Sequence, residues 1–265
     1  MRYMTFNSSC SYAGVANMLE YHGILVTDRQ IALDMDLPFL FSDEGGVYAA
    51  GPMLQSAKWF ELYLKPLGFY MTERVLLPEE VGPYLESIPC GMLGILVGSH
   101  RHAVVSMGKE WGKYRFLNNR HENSKEPDYW LLDGEELLSR LKGTVTVATL
   151  EKGRPQAVDK MPFFLESVEV LRRMKGEIHI FCDGLQEPQA IKEAMDKLFR
   201  AILLDGVTML ELLGEKEICK DLKMVQGELL TAVREGGTMV LKDRIDLEVL
   251  EDAIGRYMDL IPTKQ

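Results

Sequence analysis

Hydrophobic residues near the start of the chain recur with the period of an α-helix. They fall at positions i, i+3, i+4 and i+7, namely Tyr12, Val15, Ala16 and Leu19. This spacing places them on one face of a helix. The polar residues 7–9 carry side-chain oxygens suited to an N-cap, and Gly23 is typical of a helix end. The pattern therefore predicts an amphipathic helix over residues 9–23.

The segment that follows mixes helical and loop-forming patterns. Thr27 is a suitable N-cap for a second, short helix over residues 28–35. Residues 36–52 contain two prolines and a Gly-Gly pair, so we expect an ordered loop there. A further helix is predicted over residues 53–67, closed by Gly68.

From about residue 70 the hydrophobic period becomes that of β-strands. Short apolar or alternating runs are separated by Gly, Pro and Asn. They predict strands of a mostly antiparallel sheet at 73–77, 92–97, 103–107, 114–117 and 144–150, with helices at 79–87 and 134–141. Because helices come first and strands follow, without regular alternation, the predicted fold class is α+β.

A polar stretch at residues 151–159 separates this region from a second one dominated by helical periodicity. Helices are predicted there at 161–175, 188–204, 208–234 and 246–260, with one short candidate strand at 177–182. We therefore interpret the chain as an α+β domain over residues 1–150 and a mainly helical unit over residues 156–265.

The charge balance limits the possible partners. The 265 residues include 40 acidic and 30 basic side chains, a net charge of -10. Such a chain is poorly suited to binding nucleic acid or an anionic membrane through bulk electrostatics. The longest strongly apolar run, residues 92–97, is far shorter than the roughly 20 residues of a membrane helix. The four cysteines form no CxxC pair, which is typical of free thiols in a reducing compartment, so we expect a cytoplasmic protein.

Cys10 lies in the first turn of the first predicted helix. Backbone N–H groups and the helix dipole stabilise a thiolate at such a position. The thiolate is the attacking form of a cysteine nucleophile, and N–H groups of the same turn can stabilise a developing oxyanion. Most free cysteines, however, are small buried apolar residues. The helix position alone favours that structural role.

A second region with polar candidates is the predicted hairpin that begins near His102. Its first strand follows His102, a glycine-bearing turn spans residues 108–112, and its second strand ends at Asn118. Antiparallel pairing brings those two ends to the same edge of the sheet. A histidine that activates a nucleophile needs an amide or carboxylate partner to orient its ring. An ordinary hairpin with a surface histidine fits this pattern equally well.

Together these stretches resemble the papain-like cysteine enzyme superfamily. Residues 10–32 (CSYAGVANMLEYHGILVTDRQIA) look like the nucleophile helix of two bacterial branches. One branch is the leader peptidase-like family that cuts bacteriocin precursors after a double glycine. The other is the N-terminal domain of the butirosin-biosynthesis H-type acyltransferases. Residues 102–119 (HAVVSMGKEWGKYRFLNN) are similar to their His strand, turn and Asp/Asn strand, and the resemblance covers about residues 5–150.

The resemblance implies a papain-like fold, with Cys10 as nucleophile, His102 as general base and acid, and Asn118 as the residue that orients the histidine. His100 is a substitute for His102. Asn119 or Asp128 is a substitute for Asn118, because the strand register decides between them. The implied reaction is acyl transfer or amide hydrolysis on a peptide or on an acyl thioester, either free or attached to a carrier protein, with no metal or organic cofactor.

Three positions depart from the pattern of the peptidase branch. Met4 stands where that branch carries an oxyanion-binding Gln, Ser11 replaces Gly, and Asn118-Asn119 replaces Asp-Pro. Removing one oxyanion donor typically costs about 10²–10³ in rate. The alternative function is therefore a catalytically inactive papain-like module that binds a peptide or carrier protein.

Overall fold

The computed structural model describes residues 1–43, 45–182, 197–235 and 245–262. Its strands, in chain order, are β1 Phe41–Asp43, β2 Tyr48–Ala50, β3 Phe69–Leu76, β4 Gly91–Val97, β5 His100–Glu110, β6 Lys113–Asn118, β7 Tyr129–Leu132 and β8 Val145–Lys152. Its helices are α1 Cys10–Tyr21, α2 Asp28–Asp34, α3 Ala57–Leu64, α4 Pro78–Ser87, α5 Gly134–Ser139, α6 Met161–Cys182, α7 Val207–Leu212, α8 Lys216–Arg234 and α9 Leu247–Leu260, with a π-helical turn at Ile202–Gly206. The six-stranded antiparallel sheet with its helices confirms the α+β class.

The chain divides into two compact units. One comprises residues 1–35 and 55–158 and contains the six-stranded sheet. The other comprises residues 36–54 and 159–265 and is mainly helical. The segment 36–54 thus belongs with the helical unit, although the sequence-based division kept it with the first domain. No helix among the described residues is long and apolar enough to cross a membrane.

The six-stranded sheet has the strand order β3-β8-β4-β5-β6-β7. The five strands predicted for it are all present, and β7 is an addition. The sequence pattern missed β7 because it has only four residues and is mostly solvent-accessible at the edge of the sheet. The hairpin between β5 and β6 turns at Trp111 and Gly112, both with positive φ (51° and 79°), which fits the tight turn of a two-residue hairpin loop.

One face of this sheet carries the hydrophobic core of the unit. Ile95, Val104, Phe116 and Val147 are fully buried there, and the core cluster also includes residues of α4 and α5. Helix α1 contacts β4 and β5. A Cβ atom at Gly14 would lie 2.4 Å from the Met92 sulfur, so glycine permits this close approach of helix and sheet. That packing determines how near the start of α1 lies to β5.

The ends of α1 and α2 show which capping predictions hold. Helix α1 ends before Gly23, whose φ of 84° is left-handed, and Thr27 caps α2 by accepting the Gln30 N–H at 3.1 Å. The prediction of a side-chain N-cap for α1 was wrong, since none is present. The Ser9 hydroxyl instead donates to the Phe6 carbonyl at 2.9 Å, which leaves the first N–H groups of α1 without a side-chain cap.

Two predictions for the helical unit were wrong. The strand expected at 177–182 is part of α6, because apolar residues continue at helical spacing from Leu171 and Met174 to the buried Ile178. The loop expected at 36–52 contains the β1–β2 hairpin, whose Phe41 N–H donates to the Ser167 hydroxyl at 2.9 Å. Most of the helix predicted at 188–204 lies outside the described residues.

Candidate active site

Cys10 is the first residue of α1, and its side chain is half-buried. The sulfur accepts the backbone N–H of Ala103 on β5 at 3.5 Å. The His102 side chain and the Ser11 N–H also act on the sulfur, because both lower the pKa of the thiol. The sulfur thus lies between the helix N-terminus and the strand that carries the histidine, with donors from both elements.

The orientation of His102 follows from its hydrogen bond to Asn118. His102 Nε2 lies 2.7 Å from Asn118 Oδ1, and Asn118 Nδ2 donates to Glu126 Oε2 at 3.1 Å and to the Pro127 carbonyl at 2.9 Å. Both of these groups can only accept, so the Asn118 amide has one satisfactory orientation. Its oxygen then requires a proton on His102 Nε2, which leaves Nδ1 to face the sulfur of Cys10.

Electrostatic interactions shift the pKa values of the two groups in opposite directions. Burial raises the pKa of Cys10, but the hydrogen bond and positive charge of His102, with the two backbone N–H groups, outweigh burial and lower it below the ordinary thiol value. Burial lowers the pKa of His102, but Cys10, Asn118 and Glu126 outweigh burial and raise it above the ordinary value. Both shifts favour a thiolate–imidazolium pair.

Two other cysteines behave as ordinary buried thiols. Burial raises the pKa of Cys90 to about 12. Burial, with the charge of Glu211 adding to it, raises the pKa of Cys219 to about 11. Among the cysteines whose side chains the structure describes, only Cys10 is shifted towards the thiolate.

The structure brings Cys10, His102 and Asn118 together and gives the substitute residues other surroundings. His100 is exposed at the start of β5, opposite Val97. Asn119 is buried, but its amide accepts from Asn17 at 2.6 Å and donates to the Ala103 carbonyl at 3.0 Å. Asp128 pairs with Arg120. None of these contacts joins His100 to the Cys10 sulfur, or Asn119 or Asp128 to the His102 ring.

Gln55 is a functional candidate that the sequence pattern did not indicate. Its Oε1 accepts the Ser11 hydroxyl at 2.9 Å, and its Nε2 donates to the Ser8 carbonyl. It therefore places a side-chain amide beside the first turn of α1. At position 4, where the peptidase branch carries its Gln, the N–H of Met4 donates to the Arg120 carbonyl at 2.9 Å. Gln55 was missed because the contact joins residues 44 apart, and no local spacing predicts it.

A cavity of about 240 Å³ lies next to the sulfur. Its lining includes Cys10, Ser11 and Gln55. The sheet contributes four small residues, Gly94, Ala103, Thr146 and Ala148, and two larger apolar ones, Met92 and Leu93. A Cβ atom at Gly94 would meet nothing within 4 Å, so the cavity is open above this strand. Two charged residues on different strands, Glu73 and Arg101, complete the polar part of the lining.

A buried carboxylate supports the loop that leads into α1. Asp28 is fully buried and accepts the Thr5 N–H and the Thr5 hydroxyl, each at 2.6 Å. It also accepts the hydroxyl of Ser9, the residue before Cys10, at 3.3 Å. The start of α2 thus holds the residues that precede the candidate nucleophile.

In comparisons with known proteins, no family model matches the chain, and no curated protein matches it. Within the described residues, no group of three His, Cys, Asp or Glu side chains is arranged to hold a metal ion. The function must therefore be inferred from the geometry around Cys10.

Proposed function

We propose that the chain is a cysteine-dependent acyl-transfer enzyme of papain-like architecture, an acyltransferase or a peptidase/amidase, that works through a thioester on Cys10. The observation that carries the proposal is the arrangement of Cys10, His102 and Asn118. His102 Nε2 lies 2.7 Å from Asn118 Oδ1, and the interaction of His102 with Cys10 helps to lower the pKa of the thiol and raise that of the imidazole. A positioned nucleophile, a base and an orienting amide are the parts that such chemistry needs.

In the first half-reaction the thiolate attacks the carbonyl carbon of the substrate. A C–S bond forms, and the carbonyl electron pair moves to oxygen. The oxyanion would be stabilised by N–H groups of the first turn of α1 and by the Gln55 amide beside them. When the oxyanion collapses, the His102 imidazolium gives its proton to the leaving group as the C–N or C–S bond of the substrate breaks. The products are a thioester on Cys10 and a neutral imidazole.

In the second half-reaction the neutral His102 takes a proton from the incoming acceptor. The acceptor oxygen or nitrogen attacks the thioester carbon, and the C–S bond to Cys10 breaks. This restores the thiolate–imidazolium pair. Water as acceptor gives hydrolysis, whereas an amine gives acyl transfer. Asn118 holds the ring in both halves because its oxygen accepts from Nε2.

The cavity supports a substrate that carries an extended acyl or peptide chain. Apolar and small residues of the sheet, among them Leu93, Gly94 and Ala103, line it beside the Cys10 sulfur. A peptide or an acyl thioester, with or without a carrier protein, fits this description. A thiolate nucleophile also requires reducing conditions, which supports a cytoplasmic location.

Gln55 favours an enzyme over an inactive binding module. The inactive alternative rested on Met4 at the position of the expected oxyanion-binding Gln. An amide reaches the first turn of α1 from residue 55 instead, so the main argument for lost activity is weakened.

Thiol alkylation with iodoacetamide at pH 6 tests the proposal. An ordinary thiol of pKa about 8.5 is only about 0.3% thiolate at this pH. The lowered pKa gives Cys10 a larger thiolate fraction, which raises its reaction rate. Each low-pKa thiolate is a weaker nucleophile, which offsets part of this gain, so we expect Cys10 to react on the order of tenfold faster than the other cysteines. His102→Ala should abolish this advantage, whereas His100→Ala, at an exposed histidine of the same strand, should retain it. Equal, slow labelling of all four cysteines would contradict the proposal.

A second measurement follows the acyl group directly. Intact-mass spectrometry after incubation with activated acyl thioesters and with peptides should detect an acyl adduct on wild-type protein and none on Cys10→Ala. Cys90→Ala is the matched control, because Cys90 is a buried thiol with its pKa raised to about 12.

A further inference from the structure

The loop between β6 and β7 is organised by one partly buried arginine. Arg120 donates to the carbonyl oxygens of His121, Glu122 and Ser124 at 3.0, 3.1 and 3.0 Å. It also pairs with the carboxylate of Asp128, and its side chain is 12% exposed. Four contacts from a single guanidinium give this loop a defined backbone path.

This loop presents two acceptors to the side chain of Asn118 and one to its backbone N–H. The side-chain nitrogen of Asn118 donates to the Glu126 carboxylate at 3.1 Å and to the Pro127 carbonyl at 2.9 Å. The backbone N–H of Asn118 donates to the Asp128 carbonyl at 2.9 Å. Asn118 itself is fully buried, whereas Glu126 is exposed. The contact therefore links a surface charge to the buried amide that holds His102.

The geometry points to Glu126 as a fourth member of the site, a positioning residue whose carboxylate acts through Asn118 to favour the imidazolium form of His102 beside Cys10. This inference rests on the proposed function, because it assigns a role towards the same histidine. A hydrogen bond to a carboxylate is stronger than one to a neutral acceptor, so it polarises the amide and makes its oxygen a better partner for a charged imidazole.

Glu126 contributes charge more than orientation. The Pro127 carbonyl already fixes the direction of the Asn118 amide, so orientation survives when the Glu126 charge is lost. The charge of Glu126 also raises the pKa of His102, although Cys10 and Asn118 raise it more. Solvent screens an exposed carboxylate, so the effect should be modest.

The other charged groups near His102 come from several elements. Cys10 approaches from α1, and His100 and Arg101 are neighbours on β5. The Trp130 ring, on β7, contacts the His102 ring edge to face, with ring centroids 6.0 Å apart. The guanidinium of Arg140 lies 5.4 Å from the centre of the same Trp130 ring. Among these groups, the charges of Cys10 and Glu126 raise the pKa of His102.

The test is the pKa of the His102 imidazole, measured by NMR on full-length protein with ¹⁵N-labelled histidine. His102→Ala identifies the signal. Glu126→Gln keeps an oxygen that can accept from Asn118 and removes only the charge. We expect it to lower the pKa of His102 by about half a unit, the size of a screened charge effect at a surface. The upper pH limit of the thiolate–imidazolium pair, measured by Cys10 alkylation, should fall by the same amount.

Glu122→Gln is the matched control. Glu122 is an exposed glutamate of the same loop, and it offers its backbone carbonyl, not its carboxylate, to Arg120. The control variant should leave the pKa of His102 unchanged. If Glu126→Gln leaves it unchanged too, or if both variants lower it equally, the inference is overturned.

Failure of this inference can be told apart from failure of the proposed function. The NMR titration reports on His102 whether or not Cys10 forms a thioester. A pKa that falls in Glu126→Gln supports the coupling through Asn118, even if no acyl adduct appears on Cys10. An acyl adduct with an unchanged His102 pKa supports the enzyme and rejects the role of Glu126.

Discussion

Replacing Gly14 by Ala should test how closely helix α1 must approach the sheet for Cys10 to meet His102. The added Cβ would lie 2.4 Å from the Met92 sulfur and 2.8 Å from Asn119 Nδ2. Met92 has a flexible side chain. Asn119 is held by its hydrogen bonds to Asn17 and to the Ala103 carbonyl, so it cannot move without losing them.

The expected magnitude comes from two opposing effects. Alanine is a better helix former than glycine by about 1 kcal/mol. Overpacking a tight interior typically costs about 1–3 kcal/mol, and a lost buried hydrogen bond costs about 1 kcal/mol or more. Packing therefore outweighs helix propensity, and we expect a net destabilisation of about 1–3 kcal/mol. Because α1 carries Cys10, a shift of the helix should also slow Cys10 alkylation at pH 6.

Thermal unfolding and alkylation kinetics measure the two consequences. Gly176→Ala is the matched control, since Gly176 lies within α6 and its added Cβ would meet nothing within 4 Å. That variant should be as stable as wild type or up to about 1 kcal/mol more stable, in line with helix propensity. If Gly14→Ala matched Gly176→Ala in both stability and alkylation rate, the close approach of α1 to the sheet would have no role in positioning Cys10.

Three further predictions concern the site and its support. Gln55→Ala should slow acylation of Cys10 by an activated ester by about 10²–10³-fold. Iodoacetamide alkylation should stay unchanged, because it forms no oxyanion. Equal slowing of both reactions would assign Gln55 a structural role only. The rate of acylation should follow a bell-shaped pH profile, rising through the lowered pKa of Cys10 and falling through the raised pKa of His102; a single rise at the pH of an ordinary thiol would argue against the ion pair. Asp28→Asn should lower the free energy of unfolding by about 1–3 kcal/mol, because an amide nitrogen would face the buried donors of Thr5 and Ser9. Denaturant titration measures this change, and an unchanged unfolding midpoint would mean that the buried carboxylate contributes little to stability.

Much of the fold could be predicted from the sequence because its elements follow local rules. The helix that begins at Cys10, the Thr27 cap and the five predicted strands of the large sheet depend on residues within a few positions of one another. Elements with weak or misleading local patterns were missed. Strand β7 is too short and accessible to show a clear period, and the β1–β2 hairpin lies in a segment rich in Gly and Pro.

The site was predicted in outline for the same reason. The hairpin that carries His102 and Asn118 is a local structure, and the residue types at its two ends indicate their chemistry. The register decides which neighbouring amide meets the ring. Asn118 lies opposite Val104, two residues from His102 on the adjacent strand, so Asn118 and His102 share one face of the sheet. Asn119 points to the opposite face and binds Asn17 instead.

By itself, the sequence determined an α+β class, a cysteine at a helix N-terminus and a histidine and an asparagine at the ends of one hairpin, because each of these follows from short-range periodicity and turn chemistry. Only the tertiary structure decided the rest. It selected Asn118 over Asn119, brought Gln55 to the first turn of α1, and connected Glu126 to the amide that holds His102. These contacts depend on strand register and on loops that approach one another from distant parts of the chain, and no local spacing encodes either.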